Sequence, residues 1–293
     1  MTEAALLVSP VSGGGRAWRG LPEIRAELER LGVAVADTCE SESPEHAAAF
    51  ARAAAQRGGA LIVAGGDGLL RIVAQELVGT AATLGILPGG RGNDFARTLG
   101  LPLDPVRACG VIAAGHTRDV DVGEVDGRVF LGVASCGLDS DVNRKANEAR
   151  LIRGRFVYVG ALFGGLARWR MARFRLTVDG EELAYRGYVA AVGNSGRYGG
   201  GVRIAPDAQV DDGLLDLITI HETSRLRYVA MAPKAFSGTH VDGRLVQARR
   251  ARQVRLDADR SFVIYADGDP IGETPATVGI RPAALRVFAA SEG

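Results

Sequence analysis

Two short apolar runs in this chain end in glycine clusters, and each passes directly into a helix-forming stretch. Ala60–Ala64 runs into Gly65-Gly66-Asp67-Gly68 and then Leu69–Val78. Thr83–Leu87 runs into Pro88-Gly89-Gly90-Arg91-Gly92-Asn93-Asp94 and another helical segment. A strand that turns through glycine straight into a helix, twice in succession, points to a parallel α/β sheet. The preceding residues repeat the pattern. Ala4–Val8 ends at Ser9-Pro10 and Gly13-Gly14-Gly15, Pro22–Arg30 has helical periodicity, and Val33–Ala36 reads as a strand. Ser43-Pro44-Glu45 has the form of an N-cap with proline at the first helical position, opening a helix to about Arg57. Asp104-Pro105 opens another.

After about Asp119 the pattern becomes β-rich. Val129–Ala134, Phe174–Val178, Glu182–Val192, Leu215–Ile220, Gln253–Leu256 and Phe262–Tyr265 alternate or are rich in β-formers, and Leu285–Phe288 is a last strand. At roughly 150 residues per domain, a chain of 293 residues accommodates an α/β domain followed by a mostly antiparallel β domain. We therefore expect domains over residues 1–119 and 120–281.

Composition excludes several classes. Lys+Arg 35 against Asp+Glu 34 gives a net charge of +1, which does not suit a nucleic-acid binder. The only lysines are Lys145 and Lys234, and neither completes a G-x-x-x-x-G-K-[ST] phosphate loop. Cys39, Cys109 and Cys136 are odd in number and far apart, as expected of reduced thiols in a cytoplasmic chain. The N-terminus lacks signal-peptide character, and no apolar stretch is long enough to span a bilayer. His46, His116, His221 and His240 are isolated, and no G-x-S-x-G or G-x-G-x-x-G occurs. Glycine, at 40 residues, is about twice its usual share.

Four segments can carry chemistry, each with an ordinary structural alternative. The Gly65–Gly68 loop offers backbone N–H groups and a helix dipole to phosphate, or is simply a turn. Asn93 and Asp94 end the next loop on the same sheet edge, as nucleotide contacts, helix caps or both. Asp211-Asp212-Gly213-Leu214-Leu215-Asp216 can hold a hard cation or form a hairpin turn. Asp267-Gly268-Asp269 is either a turn or a carboxylate placed at a strand end to take a proton from a hydroxyl.

Taken in order, Val8-Ser9-Pro10-Val11-Ser12-Gly13, Gly65-Gly66-Asp67-Gly68, Asn93-Asp94-Phe95-Ala96-Arg97, Asn194…Pro206…Asp212-Gly213-Leu214-Leu215-Asp216 and Asp267-Gly268-Asp269 resemble the diacylglycerol kinase catalytic-domain family, which includes soluble bacterial lipid kinases and sphingosine kinases. The resemblance implies an ATP-binding α/β domain and a β-sandwich with an active cleft between them, and a C-terminal strand, within residues 282–293, returning to the first domain. It implies ATP phosphates at Gly65, Gly66, Asp67 and Gly68, with Thr38 at a further nucleotide-contacting position. Asp267 would be the catalytic base, transferring the γ-phosphate to a lipid hydroxyl, diacylglycerol first among acceptors. Asp212, with the carbonyls of Leu215 and Leu217, would hold a Mg²⁺ that orders the second domain.

The chain departs from the family pattern at Ser9 (asparagine), Leu69 (threonine), Arg71-Ile72 (asparagine-glutamate) and Arg91 (threonine). Arg71 and Arg91 can serve as phosphate ligands, because guanidinium pairs well with phosphate oxygens. These departures keep two rivals open: a kinase for another lipid or polyol, and a non-catalytic nucleotide- or lipid-binding protein. An arginine-rich stretch, Arg150 to Arg175, suggests peripheral contact with anionic lipid, or else a helix packed on the β domain. A homodimer stays open as the assembly.

Overall fold

The computed structural model describes residues 3–140, 165–166 and 169–290. The chain divides into two compact units, residues 1–122 with 282–293, and residues 123–281.

In the first unit, strands β1 (Glu3–Val8), β2 (Ala34–Glu40), β3 (Ala60–Gly65) and β4 (Thr83–Pro88) form a parallel sheet in the order β2-β1-β3-β4. The end of β15 (Ala276–Phe288) adds to β4 in parallel, Arg286 opposite Thr83. The final strand thus returns to the N-terminal sheet, as the resemblance implies.

β1 and β3 are apolar without alternation because both faces are covered. Leu6, Val8, Ile62 and Ala64 share a core with Ile24 and Leu28 of helix α2 (Leu21–Arg30), which follows a short α1 (Arg16–Arg19). Helix α3 (Pro44–Arg57) packs on α4 (Asp67–Leu77), and its buried face is Ala47, Ala51 and Ala54. Ser43 caps α3 by accepting the His46 N–H at 3.1 Å. A short α5 (Asp94–Thr98) precedes α6 (Pro105–Ala114), where Asp104 accepts the Val106 N–H at 2.9 Å.

The second unit is antiparallel. Strand β5 (Thr117–Val125) leads into it and pairs with β6 (Arg128–Phe130). The main path contains β7 (Val133–Gly137), β8 (Ala172–Val178), β9 (Glu181–Gly193), β12 (Gln253–Ala258), β13 (Val263–Ala266) and β14 (Asp269–Glu273), in the order β14-β13-β7-β9-β8-β12, with the start of β15 beside β12. β10 (Leu215–His221) pairs with both β9 and β11 (Val246–Ala251). β9 alternates at its start, then is buried continuously from Gly187 to Gly193. Phe174, Tyr185, Trp169 and Phe262 stack in the core, Phe174 and Tyr185 at 4.9 Å between ring centroids. Helix α7 (Arg225–Ser237), absent from the sequence reading, buries only Tyr228.

Among the described residues no helix is long and apolar enough to cross a membrane. Most of the arginine-rich stretch lies outside the described residues. Its end, Arg173 and Arg175, occupies the outward positions of β8.

Candidate active site

The register of β1, β3 and β4 brings the loops after Val8, Gly65 and Pro88 to one carboxyl edge of the parallel sheet. There the glycines pack backbone against backbone. A Cβ on Gly90 would stand 2.6 Å from the Gly66 Cα, and one on Gly89 would stand 2.6 Å from the Ala17 Cβ. A Cβ on Gly13, whose φ is +59°, would collide with the Gly89 carbonyl. The Gly89 N–H donates to the Gly65 carbonyl at 2.7 Å. These glycines are required first by each other.

The polar side chains of this edge also hold the loops. Asn93 adopts a left-handed backbone, φ 51° and ψ 44°. Its Oδ1 accepts the Gly90 N–H at 2.8 Å and its Nδ2 donates to the Gly90 carbonyl at 3.2 Å. Asp67 accepts the Phe95 N–H at 3.2 Å, so its carboxylate joins the first loop to the second. Burial pushes the Asp67 carboxyl up, opposed by the backbone N–H groups of Phe95, Asp94 and Asn93. Asp94 is buried. Gly68 and Leu69 open α4, which has no side-chain cap. Leu69 packs on Gly65, its Cδ2 2.8 Å from where a Cβ would stand. Arg71 is half-buried one turn into α4, Arg91 is exposed at the second loop, and Thr38 lies on β2 opposite Leu6. The substituted Ser9 accepts both the N–H and the hydroxyl of Ser12, at 3.2 and 2.8 Å.

Arg16 was missed from sequence. Its guanidinium donates to the Gly13 carbonyl at 3.2 Å and to the Gly90 carbonyl, 74 residues along the chain from Arg16, at 3.1 Å, joining two glycine loops. Arginine is common here, so only the tertiary contact distinguishes this one.

In the second unit, Asp267 and Gly268 are the two central residues of the β13–β14 hairpin, with φ of 52° and 92°. Positive φ at both positions is the type I′ turn that Asp-Gly favours. The turn aims the Asp267 carboxylate at two backbone donors, Leu131 N–H to Oδ2 and Gly132 N–H to Oδ1, both at 2.8 Å. The Gly132 carbonyl in turn accepts the N–H groups of Asn194 and Ser195, at 2.9 and 3.0 Å. Asn194 Nδ2 donates to the Leu131 carbonyl at 3.0 Å. The Asn194-Ser195 motif and Asp267 therefore grip one short backbone segment from opposite sides. Of the two sequence alternatives for Asp267, the turn is what the backbone adopts, and that turn leaves the carboxylate held by two backbone donors.

Asp139 follows β7 and is buried, 8% exposed, with Oδ2 accepting the Tyr198 hydroxyl at 2.9 Å. Burial raises its carboxyl to about 6, against the lowering effect of the Tyr198 hydrogen bond. Nothing in its sequence neighbourhood marks it.

The residues proposed for a cation lie at the start of β10. Asp212 Oδ1 accepts the Leu214 N–H at 3.0 Å. Asp212 Oδ2 and Asp216 Oδ2 are buried and make no hydrogen bond. Burial raises Asp216 to about 6, opposed by Arg250 and reinforced by Asp212 and Asp207. Arg250 stands 3.6 Å from Asp212 Oδ2 and 4.0 Å from Asp216 Oδ1. Among the described residues no cluster of three or more His, Cys, Asp or Glu side chains gathers as ligands. Buried carboxylate oxygens without hydrogen bonds fit a hard cation. Leu215 and Leu217 stand in the β10 ladder, Leu217 between Val192 and Arg249.

Comparison with known proteins separates the same two regions. Residues 3–125 match the family model "Diacylglycerol kinase catalytic domain", and residues 132–289 match "YegS C-terminal NAD kinase beta sandwich-like domain". A diacylglycerol kinase of Mycobacterium tuberculosis is 36% identical over 98% of this chain and 95% of its own length. A Pseudomonas aeruginosa protein named "Probable lipid kinase YegS-like" is 34% identical over 78% of this chain and 75% of its own. A crystal structure of a diacylglycerol kinase from Bacillus anthracis superposes with a TM-score of 0.77, covering 99% of this chain and 97% of that one at 21% identity; that likeness is one of fold.

Proposed function

The chain belongs to the diacylglycerol kinase catalytic-domain family, and from that premise we propose that it transfers the γ-phosphate of ATP to a lipid hydroxyl, converting diacylglycerol to phosphatidic acid with Asp267 as base. The observation that carries this reading is the Asp267 carboxylate, fixed through both oxygens by the Leu131 and Gly132 N–H groups. A carboxylate held by two charge-assisted bonds keeps one direction without being locked by a buried cation.

Phosphoryl transfer depends on positioning and charge neutralisation more than on covalent participation by the protein. In this reading the α4 start and the packed glycine loops receive the phosphates on backbone N–H groups, with Gly65, Gly66 and Gly68 keeping side chains out of the way. Asp67, Asn93 and Asp94 hold that cradle in shape. Arg71 and Arg91 supply positive charge where the family uses neutral hydrogen-bonding groups, Arg16 adds a further cation at the same edge, and Thr38 is a further nucleotide contact. The acceptor oxygen bonds to the γ-phosphorus as the bond to the β-phosphate oxygen breaks and ADP leaves. Asp267 orients the hydroxyl, collects its proton and passes it to solvent. Asp212, with the carbonyls of Leu215 and Leu217, would hold Mg²⁺, which supplies charge neutralisation that fixes the start of β10. The remaining arginines of Arg150–Arg175 would bring the protein to the bilayer that contains its acceptor.

The test is transfer of radiolabelled phosphate from ATP-Mg to diacylglycerol in mixed micelles. We expect label in phosphatidic acid, and its loss in Asp267→Ala. Label in another lipid alcohol would change the acceptor and keep the mechanism. No label across a panel of lipid alcohols and nucleotide donors, from folded protein, would overturn the kinase reading.

A further inference from the structure

Helix α7 combines exposed apolar side chains with charge of one sign. Of its thirteen residues only Tyr228 is buried. Leu226 is 85% exposed and Phe236 is 43% exposed. At about 3.6 residues per turn, Leu226, Ala230, Pro233 and Ser237 fall on one line opposite Tyr228, and all are exposed. Arg227 and Lys234 flank that line on one side, Arg225 and Phe236 on the other. The helix contains no Asp or Glu. An isolated exposed leucine needs no explanation; an exposed, mainly apolar line whose charged neighbours on the helix are all cations is the pattern of a helix lying in a lipid interface.

We propose that α7 is a docking surface for an anionic bilayer, with Leu226 and Phe236 entering the headgroup layer and Arg225, Arg227 and Lys234 meeting lipid phosphates. The surrounding charges support a bilayer over solvent. Arg225 donates to the Trp169 carbonyl at 3.3 Å, and Arg260 donates to the Arg170 carbonyl at 2.6 Å with its guanidinium 5.1 Å over the Trp169 ring. The basic field of α7 is therefore continuous with the end of the arginine-rich stretch at Trp169-Arg170. The neighbouring acids are engaged: Glu222 with Arg186 at 3.5 Å, Asp259 with Arg260 at 3.3 Å, and Asp242, whose carboxylate also feels the Arg227 charge, with the N–H groups of Arg244, Leu245 and Val246. The inference relies on the lipid-kinase reading only for the purpose of such contact.

The experiment is co-sedimentation of the full chain with vesicles of phosphatidylcholine alone and of phosphatidylcholine mixed with phosphatidylglycerol, free of diacylglycerol and nucleotide. We expect binding to the anionic vesicles only, released by salt. Arg227→Gln with Lys234→Gln, and separately Leu226→Gln with Phe236→Ser, should each weaken it roughly tenfold. Leu103→Gln, at a 39% exposed leucine of the first unit, should leave it unchanged. The charge pair lies on the surface and keeps the test valid should the apolar pair weaken the fold. Wild-type binding by both variant pairs, or no binding by the parent protein, would overturn the proposal. So would a parent that ignores vesicles yet forms a dimer dissolved by Leu226→Gln, because the face would then be a self-contact. Without acceptor lipid or nucleotide present, the result is independent of whether the chain is a kinase.

Discussion

The two candidate regions solve the same problem, placing few groups accurately, by opposite means. At the sheet edge of the first unit the backbone is positioned by removing side chains: Gly66 and Gly90 touch at a separation that leaves no room for a Cβ. At the β13–β14 turn of the second unit one side chain is positioned by backbone, the Asp267 carboxylate receiving the Leu131 and Gly132 N–H groups. The first arrangement is made chiefly of backbone, and the side chains around it at Ser9, Leu69, Arg71 and Arg91 all differ from the family pattern. The second is built around a single carboxylate. Changes at the turn should therefore affect turnover, whereas changes in the loops should affect nucleotide affinity and stability.

The largest expected effect breaks the second region alone. Asp267→Asn keeps the size of the side chain but presents an amide N–H₂ to one of two backbone donors and lacks a base. Turnover should fall by about 10²- to 10⁴-fold, with nucleotide affinity within about twofold of the parent's. Steady-state kinetics with titration calorimetry would separate the two. Equal losses in turnover and nucleotide affinity would show that Asp267 does not act at the acceptor.

A glycine from each region sharpens the contrast. In Gly90→Ala the new Cβ meets the Gly66 Cα at 2.6 Å and Asn93 Oδ1 at 2.9 Å. We expect about 1–3 kcal/mol of destabilisation from overpacking, read by urea unfolding, with weaker nucleotide binding. In Gly132→Ala the Cβ meets Asp267 Oδ1 at 2.5 Å, which should displace the carboxylate and lower turnover roughly tenfold or more with little change in nucleotide affinity. The opposite assignment of the two effects would contradict the division between the regions.

Strands β3 and β4 of the first unit were legible because they are short, apolar and run into glycine, a pattern set by burial on both faces, whereas β2, at the edge of the sheet, is exposed or half-buried along its length. The return of Leu285–Phe288 to that sheet was not legible from periodicity, since a lone apolar run gives no partner; the family resemblance provided it. Helix α7 was missed for a physical reason. It buries one side chain, so its apolar residues do not repeat on a core-facing stripe. The Asp-Gly turn at Asp267 was visible, but its two N–H donors lie more than 130 residues earlier in sequence. Arg16 and Asp139 acquire their partners only in the folded chain.

Asp139 provides a third way to probe the second region. Its folded carboxyl is raised to about 6, above an unfolded value near 3.9. The folded state therefore binds the proton more tightly. This contribution is fully present below about pH 4 and is lost as pH rises through about 6, so stability should fall across that window. Asp139→Asn should remove it, flattening the curve by on the order of 2–3 kcal/mol, as measured by denaturant unfolding at a series of pH values. A parallel curve for the variant would show that Asp139 ionises in the fold as it does in the unfolded chain.

The smallest effect belongs to Arg16, where the two modes of positioning meet. Its side chain donates to the Gly13 and Gly90 carbonyls, so it both fastens the glycine loops and places a cation at the sheet edge. It is exposed, and solvent competes for its hydrogen bonds, which limits their net contribution. Arg16→Gln keeps a donor and removes the charge; Arg16→Lys keeps the charge and removes the planar fork. If charge is the main contribution, the glutamine variant should bind nucleotide roughly three- to tenfold more weakly and the lysine variant nearly as well as the parent. If the fork is the main contribution, both should lose affinity together, and the loop packing rather than the cation would be what the nucleotide senses.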